Sequence, residues 1–319
     1  MIDSALYRWS HPKRILVATN LLDGPSVMLH AVQQAKISHA EILLVHVIRP
    51  AQFRVGRDSE QPFVLPGPAL RAAQAALNQL TCTFEREGIL CEPIILKGNP
   101  VDQISLLVKD RDVDRVIVAS EVHRGIERLL IGSLAEELAG SLEIPVCIVG
   151  HRACYQGEHT RPRVLVATSF RPGSSLCARF GAELAKASGG SITLLHVMET
   201  RPADPAACRH ARRDVFQKLR NSLGEDEAAE LKLRLEVRGG YPAAEILEAS
   251  RSPQHDLIIL GSPAESLVIR IMGSSVIHQI LGEANCPVLI VKPGESVTRS
   301  LTHQLLHSDP ISLEPGLHR

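Results

Sequence analysis

The sequence predicts an α/β protein built from two tandem open-sheet domains, each a five-stranded parallel sheet with helices on both faces, and three observations carry that prediction. The first is a long internal repeat. Residues Asp114 to Val149 recur as Asp256 to Val291, with Asp114 matching Asp256, Pro145 matching Pro287 and Val149 matching Val291 at a constant offset of 142 and without a gap. The second is the pattern inside each copy: a short apolar run, a polar loop, a stretch with helical spacing at Leu134, Leu138 and Leu142, then a proline and a second apolar run. Apolar runs of that length are the signature of strands buried on both faces of a parallel sheet, and the helical stretch supplies the crossover between them. The third is length, since 319 residues correspond to about two domains.

Each element follows in order. After a short amino-terminal arm, Ile15 to Thr19 reads as the first strand, and Asp23-Gly24-Pro25-Ser26 as a turn ending in a helix cap, with Ala31 and Ala35 in the first helix. Glu41 to Ile48 is the second strand. Arg49 to Pro68 contains Pro50, Pro62, Pro66 and Pro68 with Gly56 and Gly67, so an irregular loop is expected. A long helix from about Ala69 to Gly88 comes next, then a strand near Glu92 to Lys97 and the turn Gly98-Asn99-Pro100, with Pro100 at a first helical position. The repeated segment completes the half, with Ser133 and Glu136 spaced as a capping box. Gly150 to Pro162 is a polar linker. The second half then repeats the series, with strands at Arg163 to Thr168 and Ser191 to Met198 and a helix at Gly173 to Ser188. Seventy-three residues separate His46 from Ala119 and 65 separate His196 from Gly261, so the first half carries extra residues, assigned to the proline-rich loop. The expected division is residues 1–150, 151–294 and a mobile or surface-packed tail, 295–319.

Composition narrows the function. Lys+Arg and Asp+Glu number 35 each, leaving no net charge to draw the chain onto nucleic acid or a membrane surface. No run approaches the roughly 18 apolar residues of a membrane span, and Met1 to Arg14 lacks a signal-peptide core, so the cytoplasm is the expected location. The seven cysteines, Cys82, Cys91, Cys147, Cys154, Cys177, Cys208 and Cys286, include no C-x2-C pair and read as reduced, mostly buried thiols. His303, His307 and His318 lack metal-ligand spacing. Motifs for phosphoryl transfer, a nucleophile elbow or a zinc peptidase helix are missing.

The first strands ILVATN and VLVATS, the second strands LLVHVI and LLHVM, the turns Gly98-Asn99-Pro100 and Gly240-Tyr241-Pro242, and the duplicated ending together make residues 13 to 293 resemble a tandem universal stress protein. The resemblance implies a Rossmann-like fold of the adenine-nucleotide α-hydrolase type. It also implies an internal pseudo-dimer in which Val146 to Val149 and Val288 to Val291 meet at a pseudo-twofold axis. Nucleotide-binding members of the family carry Gly-x2-Gly-x9-Gly-Ser/Thr. Here the first copy has Ala119, Val122, Gly132 and Ser133, and the second has Gly261, Ala264, Ser274 and Ser275 with a glycine displaced to Gly273. Glycine matters there because it allows positive φ and close approach of backbone to phosphate. The acid that usually ends the first strand is replaced by Asn20 and Ser169. The resemblance therefore places any ATP or AMP in the second half, against Thr168, Ser169, Val197, Gly261, Ala264, Gly273, Ser274 and Ser275, with Gly132 and Ser133 as the first-half counterparts. No cofactor is required by the sequence. The loss of an acid at Ser169 removes a charge-assisted ribose contact typically worth about 1.5–3 kcal/mol.

Plain readings stand beside these. Ser133 and Ser275 suit helix caps. His46 and His196, matched at the ends of the second strands, have no matched acid or nucleophile and suit a structural role. His123 and Arg124 have Glu121 and Glu127 nearby, as a solvated mixed-charge loop would. Asp114 and Asp256 suit the ends of turns. The expectation is a non-catalytic, stress-associated binding or scaffold protein, with an ATP- or AMP-binding protein or slow ATPase as the alternative. An unidentified protein partner, recognised by residues 49–68 or the tail, and homo-oligomerisation are both compatible with the sequence.

Overall fold

The computed structural model describes residues 2–49, 67–120, 133–153, 161–170, 174–200, 204–223, 231–251, 255–261 and 276–292. The first half contributes strands β1 (Arg14–Ala18), β2 (Glu41–Ile48), β3 (Cys91–Lys97), β4 (Arg115–Ala119) and β5 (Val146–Val149). The second contributes β6 (Arg163–Ala167), β7 (Ser191–Met198), β8 (Lys232–Gly239), β9 (Leu257–Gly261) and β10 (Val288–Val291). The two halves share one sheet, in the order β3-β2-β1-β4-β5-β10-β9-β6-β7-β8. Pairing is parallel within each half. At the seam β5 and β10 run antiparallel, with Ile148 opposite Val288, Cys147 opposite Leu289 and Val146 opposite Ile290. The expected meeting of the last strands is thus borne out, and its consequence is a continuous ten-stranded sheet in place of two separate open ones.

Central strands are apolar on both sides because both sides are covered. β5 and β10 are buried along their whole length, whereas β3 and β8 at the margins are partly exposed. Pro93 sits in β3, where the missing N–H costs no ladder bond because the strand is at an edge. On one face lie α1 (Ile2–Ser10), α2 (Pro25–Ser38), α3 (Gly67–Glu85), α6 (Ser174–Ala187) and α7 (Pro205–Asn221). On the other lie α4 (Pro100–Asp110), α5 (Ser133–Ser141), α8 (Pro242–Arg251) and α9 (Val276–Glu283).

Helix starts follow their sequences with two corrections. Asn99 caps α4, its side chain accepting the Val101 N–H at 2.9 Å, and Asp204 caps α7 through the Ala207 N–H at 2.8 Å. The turn before α2 does not end in a serine cap: Gly24 holds the cap position without a side-chain bond and Pro25 opens the helix, its absent N–H being one of the four that have no helical partner. Ser133 is likewise the first helical residue and exposed, and Glu136 turns away from the capping box to His278, whose Nδ1 lies 3.0 Å from Glu136 Oε1. The arm is itself a helix. Leu6 and Trp9 of α1 are buried, Trp9 packs edge-on to Phe180 of α6 at 6.2 Å between ring centres, and Arg115 Nη2 donates to Trp9 O at 2.6 Å.

Asp114 and Asp256 do more than end turns. Asp114 Oδ2 accepts the Lys13 and Arg14 N–H groups at 2.7 and 3.1 Å, while Oδ1 accepts from Arg8 Nε. Asp256 Oδ2 accepts the Arg163 N–H at 2.9 Å, and its two oxygens take Arg163 Nε and Nη2 at 3.0 and 2.8 Å. In each half the matched carboxylate ties the start of the fourth strand to the start of the first. Cys147, Cys177 and Cys286 are buried thiols and Cys82 is exposed, whereas Cys91 and Cys208 are half-buried. Among the described residues no helix is long and apolar enough to cross a membrane.

Candidate functional site

The chain leaves β1 toward β2 on one side and leaves β4 toward β5 on the other, so a crevice opens at the carboxyl ends of these two neighbouring strands. In the first half it holds a cavity of about 430 Å³. Its wall is formed by Ala18, Thr19, Asn20 and Asp23 after β1, by Val45, His46, Val47 and Arg49 along and after β2, by Val118 and Ala119 of β4, by Pro100 and Ile104 of α4 and by Leu134 of α5. Among the described residues the floor is aliphatic and the rim polar, with the Asp23 carboxylate and the Arg49 guanidinium. That is the composition of a site for a small molecule with an apolar body and hydrogen-bonding edges.

The turn after β1 is built by its own side chains. Thr19 Oγ1 accepts the Leu21 N–H at 2.9 Å, Asn20 Oδ1 accepts the Leu22 N–H at 2.7 Å, and Asp23 Oδ2 accepts the Asn20 N–H at 3.1 Å. These bonds hold Leu21 in the left-handed region at φ 68°. The second half repeats the turn, with Thr168 Oγ1 accepting the Phe170 N–H at 3.3 Å and Phe170 at φ 57°. His46 Nδ1 lies 2.9 Å from Thr19 O, and His196 Nδ1 lies 2.8 Å from Thr168 O. A carbonyl only accepts, so Nδ1 carries the proton in both rings, and each imidazole latches the second strand to the turn after the first. The structural role expected for the matched histidines is the one observed.

Thr168 and Val197 are buried at the carboxyl ends of β6 and β7, and Ser169 and Gly261 are exposed beside them. Thr19, Asn20, Val47 and Ala119 are the repeat equivalents of these four residues, and all four line the first-half cavity. The same crevice position is therefore brought together in both halves. Gly261 also has a packing reason for lacking a side chain, because a β-carbon there would lie 3.0 Å from Cys177 Sγ. Gly132, Ala264, Gly273, Ser274 and Ser275 lie outside the described residues, as do Val122, His123, Arg124, most of the proline-rich loop and residues 293–319. Of the wall, Asp23, Pro100, Ile104 and Leu134 carry no binding motif in the sequence, Arg49 falls in the segment expected to meet a protein partner, and the glycine loops point to the second half. Transferring the second-half residues back through the repeat would have pointed to the first-half crevice.

Known proteins share this pattern. The sequence profile of the universal stress protein family matches residues 11–150 and again 160–292. A universal stress protein of Methanocaldococcus jannaschii is 29% identical over 142 residues, covering 43% of this chain and 81% of that protein. Among solved structures, a universal stress protein from Archaeoglobus fulgidus superposes with a TM-score of 0.69 at 21% identity, covering 91% of this chain and 99% of that one. A Pseudomonas aeruginosa structure described as a putative universal stress protein gives 0.59 at 14% identity, with 93% and 98% covered. At these identities the structural likenesses speak for the fold.

Proposed function

Because the chain belongs to the universal stress protein family, we propose that it is a stress-associated, non-catalytic binding protein whose ligand sits in the crevice at the carboxyl ends of the strands. The observation that carries this reading is the first-half cavity of about 430 Å³, in which His46 is tied by Nδ1 to a carbonyl and Asp23 is tied into the turn. Such a wall can hold and orient a molecule, and among the described residues it offers no base aligned with a nucleophile. A second reading, favoured by the equivalence of Thr168, Ser169, Val197 and Gly261 to wall residues of the first half, is that the second half takes ATP or AMP. The small residues of its loop, Ala264, Gly273, Ser274 and Ser275, support that reading.

Calorimetric titration of the full chain with ATP and with AMP tests both, using Val47→Trp to fill the first crevice and Val197→Trp to fill the second. Saturable binding without nucleotide turnover is expected. Loss of binding in Val197→Trp alone places the nucleotide in the second half, and loss in Val47→Trp alone places it in the first. Turnover that scales with purified protein and disappears with either variant would replace the non-catalytic reading by a slow ATPase.

A further inference from the structure

The repeat offset gives a way to find the axis between the halves. A residue can touch its own repeat equivalent only where the pseudo-twofold axis passes. Position 136 plus 142 is 278, and His278 Nδ1 lies 3.0 Å from Glu136 Oε1; position 147 plus 142 is 289, and Cys147 lies opposite Leu289 in the sheet. The axis thus runs between β5 and β10 and out between α5 and α9. On this axis the chain has placed two different residues. A carboxylate and an imidazole complement one another as acceptor and donor.

We infer that Glu136 and His278 are a specificity-determining pair, which makes the two halves recognise each other in preference to second copies of themselves. Were the first half to pair with the first half of another chain, Glu136 would face Glu136, two acceptors of like charge. Were the second half to pair with its own kind, His278 would face His278 and lose its carboxylate. Two further contacts break the symmetry in the same sense. Lys292 Nζ donates to Gly140 O at 2.7 Å, whereas its equivalent, Gly150, has no side chain and lies where a β-carbon would be 3.4 Å from Leu281 O and 3.8 Å from Ala284 O. Among the described residues, helix α1 precedes the first half, and it docks by using Arg115 of that half together with Phe180 of the other. The equivalent of Arg115 is Leu257, which cannot hold such a helix. Like charges brought together are the usual means by which proteins exclude a wrong partner.

The full chain carries the test. Glu136→His and His278→Glu each place a like pair on the axis, and because the axis interchanges the two positions, the doubly substituted chain restores the pair with its members exchanged. In urea unfolding, each single variant is expected to lose roughly five-fold or more in its folded-to-unfolded ratio, and the double variant to recover most of the loss. Refolding the two single variants together should also yield a two-chain species by light scattering, since pairing in trans satisfies both axes. A double variant no more stable than the weaker single one, or a mixture with no more two-chain species than either variant alone, overturns the inference.

Discussion

Trp9→Ala removes the side chain by which the amino-terminal helix is anchored, and its effect can be worked from the structure. Trp9 is 6% exposed and packs edge-on against Phe180, which is fully buried. Truncating a buried aromatic residue to alanine costs about 3–5 kcal/mol, of which an edge-on aromatic pair accounts for about 0.5–1.5. The cost cannot exceed the free energy of undocking α1 from the rest of the fold. A loss of about 3 kcal/mol is the expectation if α1 and the sheet unfold together. Urea unfolding followed by far-ultraviolet circular dichroism measures it in wild type and variant alike. Trp9 is the sole tryptophan, so its fluorescence in the wild-type chain reports the docking of α1 directly. Coincident fluorescence and dichroism transitions are expected. A loss below about 1 kcal/mol, together with a fluorescence transition well before the dichroism transition, would refute the view of α1 as an integral strap.

Other perturbations have equally definite outcomes. Burial lowers the pKa of His30 to about 4, below its ordinary value near 6.5, so the unfolded chain binds a proton that the folded chain refuses. Stability should therefore be full above about pH 6.5, fall by on the order of 3 kcal/mol as pH drops to about 4, and fall less in His30→Leu, as urea midpoints across that range will read. Gly190→Ala would put a β-carbon 2.1 Å from Pro162 O, a backbone atom that cannot rotate aside, so a loss of about 1–3 kcal/mol and a Tm lower by several degrees are expected by calorimetry. Asp256→Ala strips Arg163 of one carboxylate that accepts its N–H and both guanidinium contacts; a loss of about 2 kcal/mol is expected by the same measurement. A thiol reagent in native buffer should modify Cys82 quickly and leave Cys147, Cys177 and Cys286 unreacted, burial having pushed their thiols up to about 11, 12 and 12.

The architecture was legible because its signals are local and repeated. The β-branched run of β4 and the proline before β5 appear twice, and a fixed offset of 142 leaves little freedom in how they are aligned. The arm was harder to read. Leu6 and Trp9 have helical spacing, yet nothing within nine residues says that their partner is Phe180, about 170 positions away. Ser133 and Glu136 illustrate a local rule overridden by a distant one, since the carboxylate that suits a capping box is drawn to His278. Matched histidines could be recognised as structural, but the Nδ1 bonds that explain them involve carbonyls, which carry no trace in the sequence. The crevice wall was missed for a related reason: Arg49, Ile104 and Leu134 converge only when three separate elements pack.

A sheet ten strands wide still ends somewhere, and its two margins resist the addition of a foreign strand by different means. At β3 the obstacle is covalent, because Pro93 offers no N–H to an incoming partner. At β8 it is electrostatic: Lys232, Arg234 and Arg238 outnumber Glu236, so two such margins repel. Dissolved ions weaken the second barrier and leave the first untouched. High ionic strength therefore favours end-to-end stacking of molecules through β8 alone, which yields pairs that stop at two rather than fibres that grow.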